Sequence, residues 1–155
     1  MEVQEVEMKP QLVLGMIKKG SYKEIPKMIE KLCKHAVKKG TQMAGAPIFV
    51  CHEMSKDEVV ELNKQGCANV EVVVPVASKI KGTKDIECYE MSGGKMAKVI
   101  NKGPYDKCDS AYNALFEWIG KNGKAIRGHC REVYLNDPKT VEKEEILTEI
   151  YAPIN

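Results

Sequence analysis

The chain has 155 residues, of which 43% are hydrophobic and 30% charged, and its formal net charge is +2 at pH 7. This composition is that of a globular protein with a real core; there is no run of about 18 apolar residues that could span a bilayer, and the acidic N-terminus lacks the order of a signal peptide. We therefore expect a cytoplasmic protein with no membrane partner, and the small net charge gives no reason to expect a nucleic-acid partner.

The six cysteines and three histidines show neither a disulfide framework nor metal-ligand spacing. No C-x-x-C pair occurs, and a cytoplasmic chain of this size keeps its thiols reduced. We expect the cysteines to act as small apolar side chains, and we expect no metal and no cofactor.

The chain contains an internal repeat. Residues 20–40 align without gaps on residues 103–123 at a constant offset of 83. The identities that fix the alignment include Gly20, Tyr22, Leu32 and Gly40, which match Gly103, Tyr105, Leu115 and Gly123. Near the end of each copy, "VEVVVPV" (70–76) matches "TEIYAPI" (148–154) at an offset of 78. The pattern predicts one domain made of two copies of a module, about 1–78 and about 79–155.

Each copy begins with a predicted strand and a predicted helix. The strand is "QLVLGMIKKG" in the first copy and "KMAKVINKG" in the second, both rich in β-branched and apolar residues. Each helix has an apolar stripe at helical spacing, formed by Ile25, Met28, Ile29, Leu32 and Ala36, and by Cys108, Ala111, Leu115, Trp118 and Ile119. Gly40 and Gly123 stand where a left-handed residue ends a helix, and Asp109 is a candidate N-cap.

Two further predicted strands close each copy. They are "PIFVCHE" and "VEVVVPV" in the first copy, and "REVYL" and "ILTEIYAPI" in the second. Pro75 and Pro153 are expected to end the last strand of each copy. The first copy also has a polar link, residues 52–68, for which we expect a short helical turn. One module alone buries little surface, so we expect the two modules to pair.

The first helix also carries lysines opposite its apolar stripe: Lys23, Lys27, Lys31, Lys34 and Lys38. Such a pattern is typical of a nucleic-acid-binding face or of an ordinary solvated helix face. No aromatic residue is interleaved with the lysines, and Glu24 and Glu30 stand beside them. The sequence therefore favours the solvated face.

Three ordered segments carry a resemblance to a known family: "GPYDKCDSAYNALFEWIGKNG" (103–123), "REVYLNDP" (131–138) and "TEIYAPI" (148–154). With them the chain resembles the GyrI-like family, the effector-binding domain of bacterial multidrug-responsive transcription activators. The resemblance covers nearly the whole chain. It implies an α+β fold, in which tandem duplicated strand-helix-strand-strand modules form a curved antiparallel sheet with two main helices and a central cleft.

The resemblance also implies a range of functions. In this family the cleft takes up aromatic, often cationic small molecules, and regulators carry a helix-turn-helix domain that is missing here, so we expect a stand-alone form. Our leading prediction is binding of a small aromatic or cationic organic molecule, for sequestration or sensing, by a monomer or homodimer. The alternatives are a hydrolase of strained or electrophilic small molecules that uses a cleft Glu/Tyr pair, and a protein-interaction module that modulates gyrase.

The strand "REVYL" contains the leading candidate residue. Alternation along a strand places Glu132 and Tyr134 on one face. Their counterparts in the first copy are Phe49 and Cys51, which are residue types that rarely face bulk water. We therefore predict that Glu132 lines a cleft that is apolar in its twin; the alternative is an ordinary solvent-facing position.

Glu149 and Tyr151 are further candidates on the last strand. Glu149 matches Glu71, so a structural or rim position explains it as well as a ligand contact does. Tyr151 matches Val73, which is again apolar, and this makes Tyr151 a second cleft candidate. The complete predicted ligand-binding set is Glu132, Tyr151, Phe49, Tyr134, Trp118, Tyr105 and Glu149. In a hydrolase, Glu132 would be the base and Tyr151 or Tyr134 its partner.

Overall fold

The computed structural model of the chain describes residues 1–53 and 55–155. The strands in these residues are β1 (Gln4–Met8), β2 (Gln11–Gly20), β3 (Ile48–Cys51), β4 (Ala68–Pro75), β5 (Glu87–Met91), β6 (Gly94–Lys102), β7 (Cys130–Tyr134) and β8 (Leu147–Pro153). The helices are α1 (Ile25–Lys38), α2 (Lys56–Gln65) and α3 (Asp109–Lys121). No helix in the described residues has the length and apolar character that crossing a membrane requires.

The chain forms two compact units. The first unit is Pro10–Ser92, and the second unit is Met1–Lys9 together with Gly93–Asn155. The strand order is β3-β4-β2-β5 in the first unit and β1-β6-β8-β7 in the second. Neighbouring strands within each unit are antiparallel. This is the α+β architecture of duplicated strand-helix-strand-strand modules that the sequence predicts.

The strands β1 and β5 are exchanged between the two copies of the repeat. β1 precedes β2 in the sequence but pairs with β6, and Met8 lies opposite Gly94. β5 precedes β6 but pairs with β2, and Met91 lies opposite Gln11. Both pairs are related by the offset of 83 residues. Each compact unit therefore contains one strand from the other copy.

The start of α1 follows from local hydrogen bonds. A 3-10 turn at Tyr22–Glu24 precedes the helix. Ser21 Oγ accepts a hydrogen bond from the backbone N–H of Lys23 at 3.2 Å, and Glu24 Oε2 accepts one from the N–H of Ser21 at 3.2 Å. This reciprocal capping satisfies N–H groups that a helix start leaves without a helical partner.

The helix ends agree with the sequence in part. Gly40 follows α1 with φ +80°, and Gly123 follows α3 with φ +64°, so both glycines take the predicted left-handed conformation. The predicted N-cap at Asp109 is wrong, because Asp109 is the first residue of α3 and Cys108 before it already has helical dihedrals. The 3-10 turn at Tyr105–Lys107 leads directly into α3, so the helical conformation begins before Asp109. β4 and β8 end at Pro75 and Pro153, as predicted.

The polar link of the first copy contains a full helix. α2 has ten residues, so the link is helical as predicted but the helix is longer than the expected short turn. Ser55 caps it by accepting a hydrogen bond from the N–H of Glu58 at 3.2 Å, and Gly66 ends it with φ +68°. α2 buries none of its residues and has no apolar stripe, which removes the main signal for predicting a helix.

The core of the second unit lies between α3 and strands β6 and β8. Its buried members are Ala97, Val99, Cys108, Ala111, Leu115, Ile119, Ile150, Ala152 and Ile154. Fully burying one leucine or isoleucine side chain contributes about 1.5–3 kcal/mol. Among the cysteines, Cys108 has the predicted buried role, whereas Cys67 is exposed and the remaining four are half-buried.

Candidate functional site

The strand register of the second unit places Glu132 and Tyr134 on the face that carries α3. Glu132 lies opposite Ile150, and Tyr134 lies opposite Thr148. Directly opposed residues of an antiparallel pair share a face. Because Ile150 belongs to the core beneath α3, the side chains of Glu132 and Tyr134 also point to the helix side.

Glu149 and Tyr151 lie on the other face of the same sheet. Tyr151 is opposite Arg131 on β7 and opposite Lys98 on β6. Ile150 stands between the two candidates and points to the core, so alternation sends both of them away from it. The structure therefore does not bring Glu132 and Tyr151 together as one acid/base pair.

Two tyrosines hold the carboxylate of Glu132. The hydroxyl of Tyr112, on α3, donates a hydrogen bond to Oε2. The hydroxyl of Tyr134, two residues along β7, donates one to Oε1 at 3.2 Å. Tyr112 reaches this position because it packs, half-buried, along the edge of the core. Both carboxylate oxygens are thus engaged by neutral O–H donors.

The electrostatics around Glu132 reflect its burial. Burial raises the pKa of Glu132, and the hydrogen bonds from Tyr112 and Tyr134 offset part of that rise. Burial is also the main reason why the pKa of Tyr134 is raised, and the Glu132 charge adds to it. Burial, followed by the charge of Glu132, raises the pKa of Cys108 to about 12 and that of Cys130 to about 11. These thiols are therefore poor nucleophiles at neutral pH.

Two partly exposed aromatic rings extend the site to the surface. The ring of Tyr105 contacts that of Tyr134 edge to face, with centroids 5.3 Å apart. The ring of Phe116 lies against that of Tyr112, with centroids 5.9 Å apart. Tyr105 is 40% exposed and Phe116 43% exposed. We call Glu132 and these four aromatic residues the Glu132 site.

Sequence reasoning missed Tyr112 and Phe116. The signal was present, because Tyr112 follows Cys108 by four residues and precedes Leu115 by three, which places it at the edge of the apolar stripe. Phe116 follows Tyr112 by one further turn. The predicted candidate on the same helix, Trp118, packs against the core of the second unit.

Phe49 lies in the first unit and is part of the packing there. It is 5% exposed, and its ring contacts that of Tyr22 edge to face, with centroids 5.4 Å apart. Tyr22 is the counterpart of Tyr105, and Phe49 is the counterpart of Glu132. The first unit therefore fills with an aromatic ring the position at which the second unit has a carboxylate.

Glu149 belongs to a separate polar cluster. Its Oε2 lies 2.7 Å from Lys98 Nζ, and its Oε1 accepts a hydrogen bond from the Tyr151 hydroxyl at 3.1 Å. The hydrogen bond with Glu149 is the main cause of the raised pKa of Lys98. The counterpart Glu71 is likewise paired, with His52 Nε2 at 2.6 Å. A carboxylate with its own cation favours the structural interpretation of Glu149.

The comparisons with known proteins agree on the fold. A family model described as the GyrI-like small molecule binding domain matches residues 1–155. No curated protein matches the chain in sequence. The crystal structure of the EcmrR C-terminal domain is similar with a TM-score of 0.86 and 21% identity, over 99% of this chain and 97% of that one. In the EcmrR–DNA complex the match covers 57% of the EcmrR chain, so this chain spans a little over half the length of that protein.

Two other solved structures are similar at lower identity. The hydrolase encoded by lin2189 from Listeria innocua has a TM-score of 0.70 and 13% identity, over 99% of this chain and 92% of that one. SAV2435 bound to tetraphenylphosphonium has a TM-score of 0.58 and 12% identity, over 100% of this chain and 94% of that one. Likeness at these identities shows the fold alone, whereas the family model matches from the first residue to the last. The chain belongs to the GyrI-like family of small-molecule binding domains.

Proposed function

We propose that the protein binds a small aromatic or cationic organic molecule at the Glu132 site. The observation that carries the proposal is a half-buried carboxylate that is hydrogen-bonded to two tyrosine hydroxyls and has a raised pKa. Burial penalises the charged form of Glu132, and a bound cation would offset that penalty and lower the pKa again. Binding energy is therefore available to a cationic ligand in particular.

The aromatic rings of the site support the same class of ligand. Tyr105, Tyr112, Tyr134 and Phe116 form two contacting pairs, and the outer ring of each pair is partly in water. A cation over an aromatic face gains about 0.5–2 kcal/mol, and a flat ligand gains dispersion energy from the same rings. Exposed aromatic rings beside a desolvated carboxylate are typical of a binding site.

The hydrogen bonds of Glu132 narrow the choice of probe. Each carboxylate oxygen already accepts one O–H donor, which leaves one lone pair on each oxygen for a ligand. A cation whose charge is spread over apolar groups needs no hydrogen bond from these oxygens and can also contact the aromatic rings of the site. Tetraphenylphosphonium, the ligand named for SAV2435, has this character and is the probe we choose.

Two matched variants test the proposal by isothermal titration calorimetry with tetraphenylphosphonium. Glu132→Gln keeps the size of the side chain but removes its charge, and we expect at least tenfold weaker binding, which is about 1.4 kcal/mol. Glu149→Gln removes a carboxylate from the opposite face of the same sheet, and we expect less than a twofold change. Equal affinity in wild type and Glu132→Gln, or an equal loss in both variants, would refute the proposal.

A hydrolase is the second candidate function, and the hydrogen bond between Glu132 and Tyr134 favours it. Glu132 would take a proton from water as the water oxygen attacks an electrophilic carbon, while a tyrosine hydroxyl gives a proton to the leaving heteroatom. The same samples distinguish the two functions when an aryl epoxide replaces the phosphonium. Diol formation that is lost in Glu132→Gln and kept in Tyr151→Phe would establish turnover at this site.

A further inference from the structure

Helix α1 carries a straight row of exposed lysines. The members are Lys27, Lys31, Lys34 and Lys38, and all four are exposed. With 3.6 residues per turn, spacings of four, three and four residues keep them within an arc of about 60° and spread them over about 16 Å of the helix axis. We call these four residues the lysine row.

The second copy shows that the fold does not require this row. At the offset of 83 residues, the corresponding positions of α3 are Ser110, Ala114, Glu117 and Lys121. α3 packs on its sheet through an apolar stripe of the same kind as that of α1. The four lysines of α1 therefore correspond to one cation and one anion on α3, although both helices pack on their sheets in the same way. Packing alone does not require the four lysines.

Glu24, which stands next to the lysines in the sequence, is engaged elsewhere. Its Oε2 accepts a hydrogen bond from the N–H of Ser21, and its Oε1 is paired with Lys18 on β2. Both partners precede α1. Glu24 therefore belongs mainly to the helix start: the hydrogen bond with Lys18 is the main cause of its lowered pKa, and the charge of Lys27 is the smallest contribution.

The remaining acidic neighbours neutralise the row only in part. Lys34 is 2.8 Å from Glu30, and Lys31 is 3.8 Å from Asp85, with both members of each pair largely exposed. Exposed pairs of this kind contribute little and exchange readily with other partners. Lys27 and Lys38 make no ion pair within residues 1–53 and 55–155.

We propose that the lysine row binds the phosphate backbone of double-stranded nucleic acid without reading its sequence. A duplex carries one negative charge per about 1.7 Å of its axis, and neutralising these charges releases condensed counterions. The sequence alone favours a solvated face because no aromatic residue is interleaved with the lysines, and the structure adds that all four lysines of the row are exposed. Lysine binds phosphate as a point charge, so a row without aromatic members allows contacts with the backbone of a duplex but no stacking on bases. This surface lies in the first unit, and the inference does not depend on the Glu132 site.

Two other polyanionic partners fit the row less well. An acidic protein surface would offer exposed ion pairs, which contribute little individually and release few counterions. An anionic membrane is bound tightly when apolar side chains insert beside the lysines. On α1 the exposed large apolar side chain beside the lysines is Val37, which is 74% exposed, and a single valine offers little apolar surface for insertion. A nucleic-acid duplex is therefore the partner that the charge pattern fits best.

The test is fluorescence anisotropy of a labelled 20-base-pair DNA duplex, titrated with the protein at several NaCl concentrations. The test variant is Lys27→Gln, Lys31→Gln and Lys38→Gln, which leaves the pair between Lys34 and Glu30 intact. The matched control is Lys95→Gln, Lys139→Gln and Lys143→Gln, which removes the same charge from exposed positions of the second unit. Circular dichroism checks that both variants are folded.

We expect the wild type to bind the duplex at 50 mM NaCl and the test variant to bind at least tenfold more weakly. The slope of log K against log salt should fall in magnitude by about 2 to 3 in the test variant. The affinity of the control variant for the duplex should fall by less than threefold. The proposal is overturned by absence of duplex binding in the wild type, by equal losses in both variants, or by binding to phosphatidylglycerol vesicles in place of the duplex.

Discussion

Glu132 occupies the position that Phe49 occupies in the other copy of the repeat. Phe49 is packed against Tyr22 in the first unit, and Glu132 is hydrogen-bonded to Tyr112 and Tyr134 in the second. Removing a carboxylate from water without a cation beside it costs free energy, and carboxylates with perturbed pKa values are concentrated at functional sites. One substitution between the copies thus separates a packing position from a candidate binding position.

The raised pKa of Glu132 predicts a pH-dependent stability difference. Burial holds the folded-state pKa above the unfolded-state value of about 4.3. Charging Glu132 therefore costs folding free energy, and that cost is absent at low pH and grows as the pH rises through the raised pKa. Glu132→Gln removes the titration. Its melting temperature relative to wild type should increase from pH 4 to pH 7 in thermal unfolding.

The pH trend separates the titration of Glu132 from effects of the substitution that do not depend on pH. A change in packing caused by the glutamine amide is the same at every pH and shifts the whole comparison by a constant amount. A difference in melting temperature that is the same at pH 4 and pH 7 would show that Glu132 is not desolvated. Glu142→Gln, at an exposed position, serves as the control and should show no trend of this origin.

A second pair of equivalent residues, Glu53 and Asn136, leads to a prediction about the unfolding free energy of two variants. Glu53 Oε1 accepts a hydrogen bond from the N–H of Asn69 at 2.7 Å, and Asn136 Oδ1 accepts one from the N–H of Leu147 at 3.0 Å. Asn136 Nδ2 also donates to the carbonyl of Glu145 at 2.9 Å. Glu53 Oε2, by contrast, is buried and has no hydrogen-bond partner in the described part of the chain.

The amide is therefore the better group at this position. Glu53→Gln replaces a buried oxygen that has no donor in the described residues and removes the carboxylate charge from a residue that is 6% exposed, so we expect a gain of about 1 kcal/mol in unfolding free energy. Asn136→Asp removes the corresponding donor and should lose about 0.5–1.5 kcal/mol. Urea unfolding at pH 7 measures both variants. A Glu53→Gln protein less stable than wild type would contradict the comparison.

The strands show how far alternation carries a prediction. It placed Glu132 and Tyr134 on one face and Glu149 and Tyr151 on one face, and the register agrees with both pairs. Alternation within each strand does not say which face of one strand matches which face of the next. Ile150 lies between Glu149 and Tyr151, and its apolar side chain points to the core. Alternation therefore directs Glu149 and Tyr151 to the opposite face, and this could have been inferred from the sequence.

The helices show which features the sequence patterns do not predict. α1 and α3 were predicted from apolar stripes that the core does bury. The length of α2 was underestimated because none of its residues is fully buried and only Val59, Leu62 and Asn63 are half-buried. Ser55 and Glu58 nevertheless form a recognisable capping pattern. Tyr112 was missed for a different reason: it lies at the border between the buried and exposed sides of α3, where periodicity assigns no clear role.

For the whole chain, two copies of one module have come to carry different side chains on the same framework. The exchange of β1 and β5 and the paired glycines after α1 and α3 follow the repeat. The carboxylate site belongs to the second unit and the lysine row to the first. Tyr105 of the Glu132 site is shared with the first copy as Tyr22, whereas Glu132 and the lysine row each occur in one copy only.

The central claim is that a cation binds beside Glu132 on the helix-bearing face of the second unit. The most direct measurement is a crystal structure of the protein with tetraphenylphosphonium at saturating concentration. We predict the phosphonium within about 6 Å of the ring centroids of Tyr105 or Phe116 and next to the Glu132 carboxylate. A ligand ordered beside Glu149 and Lys98 on the opposite face, with none beside Glu132, would contradict the claim.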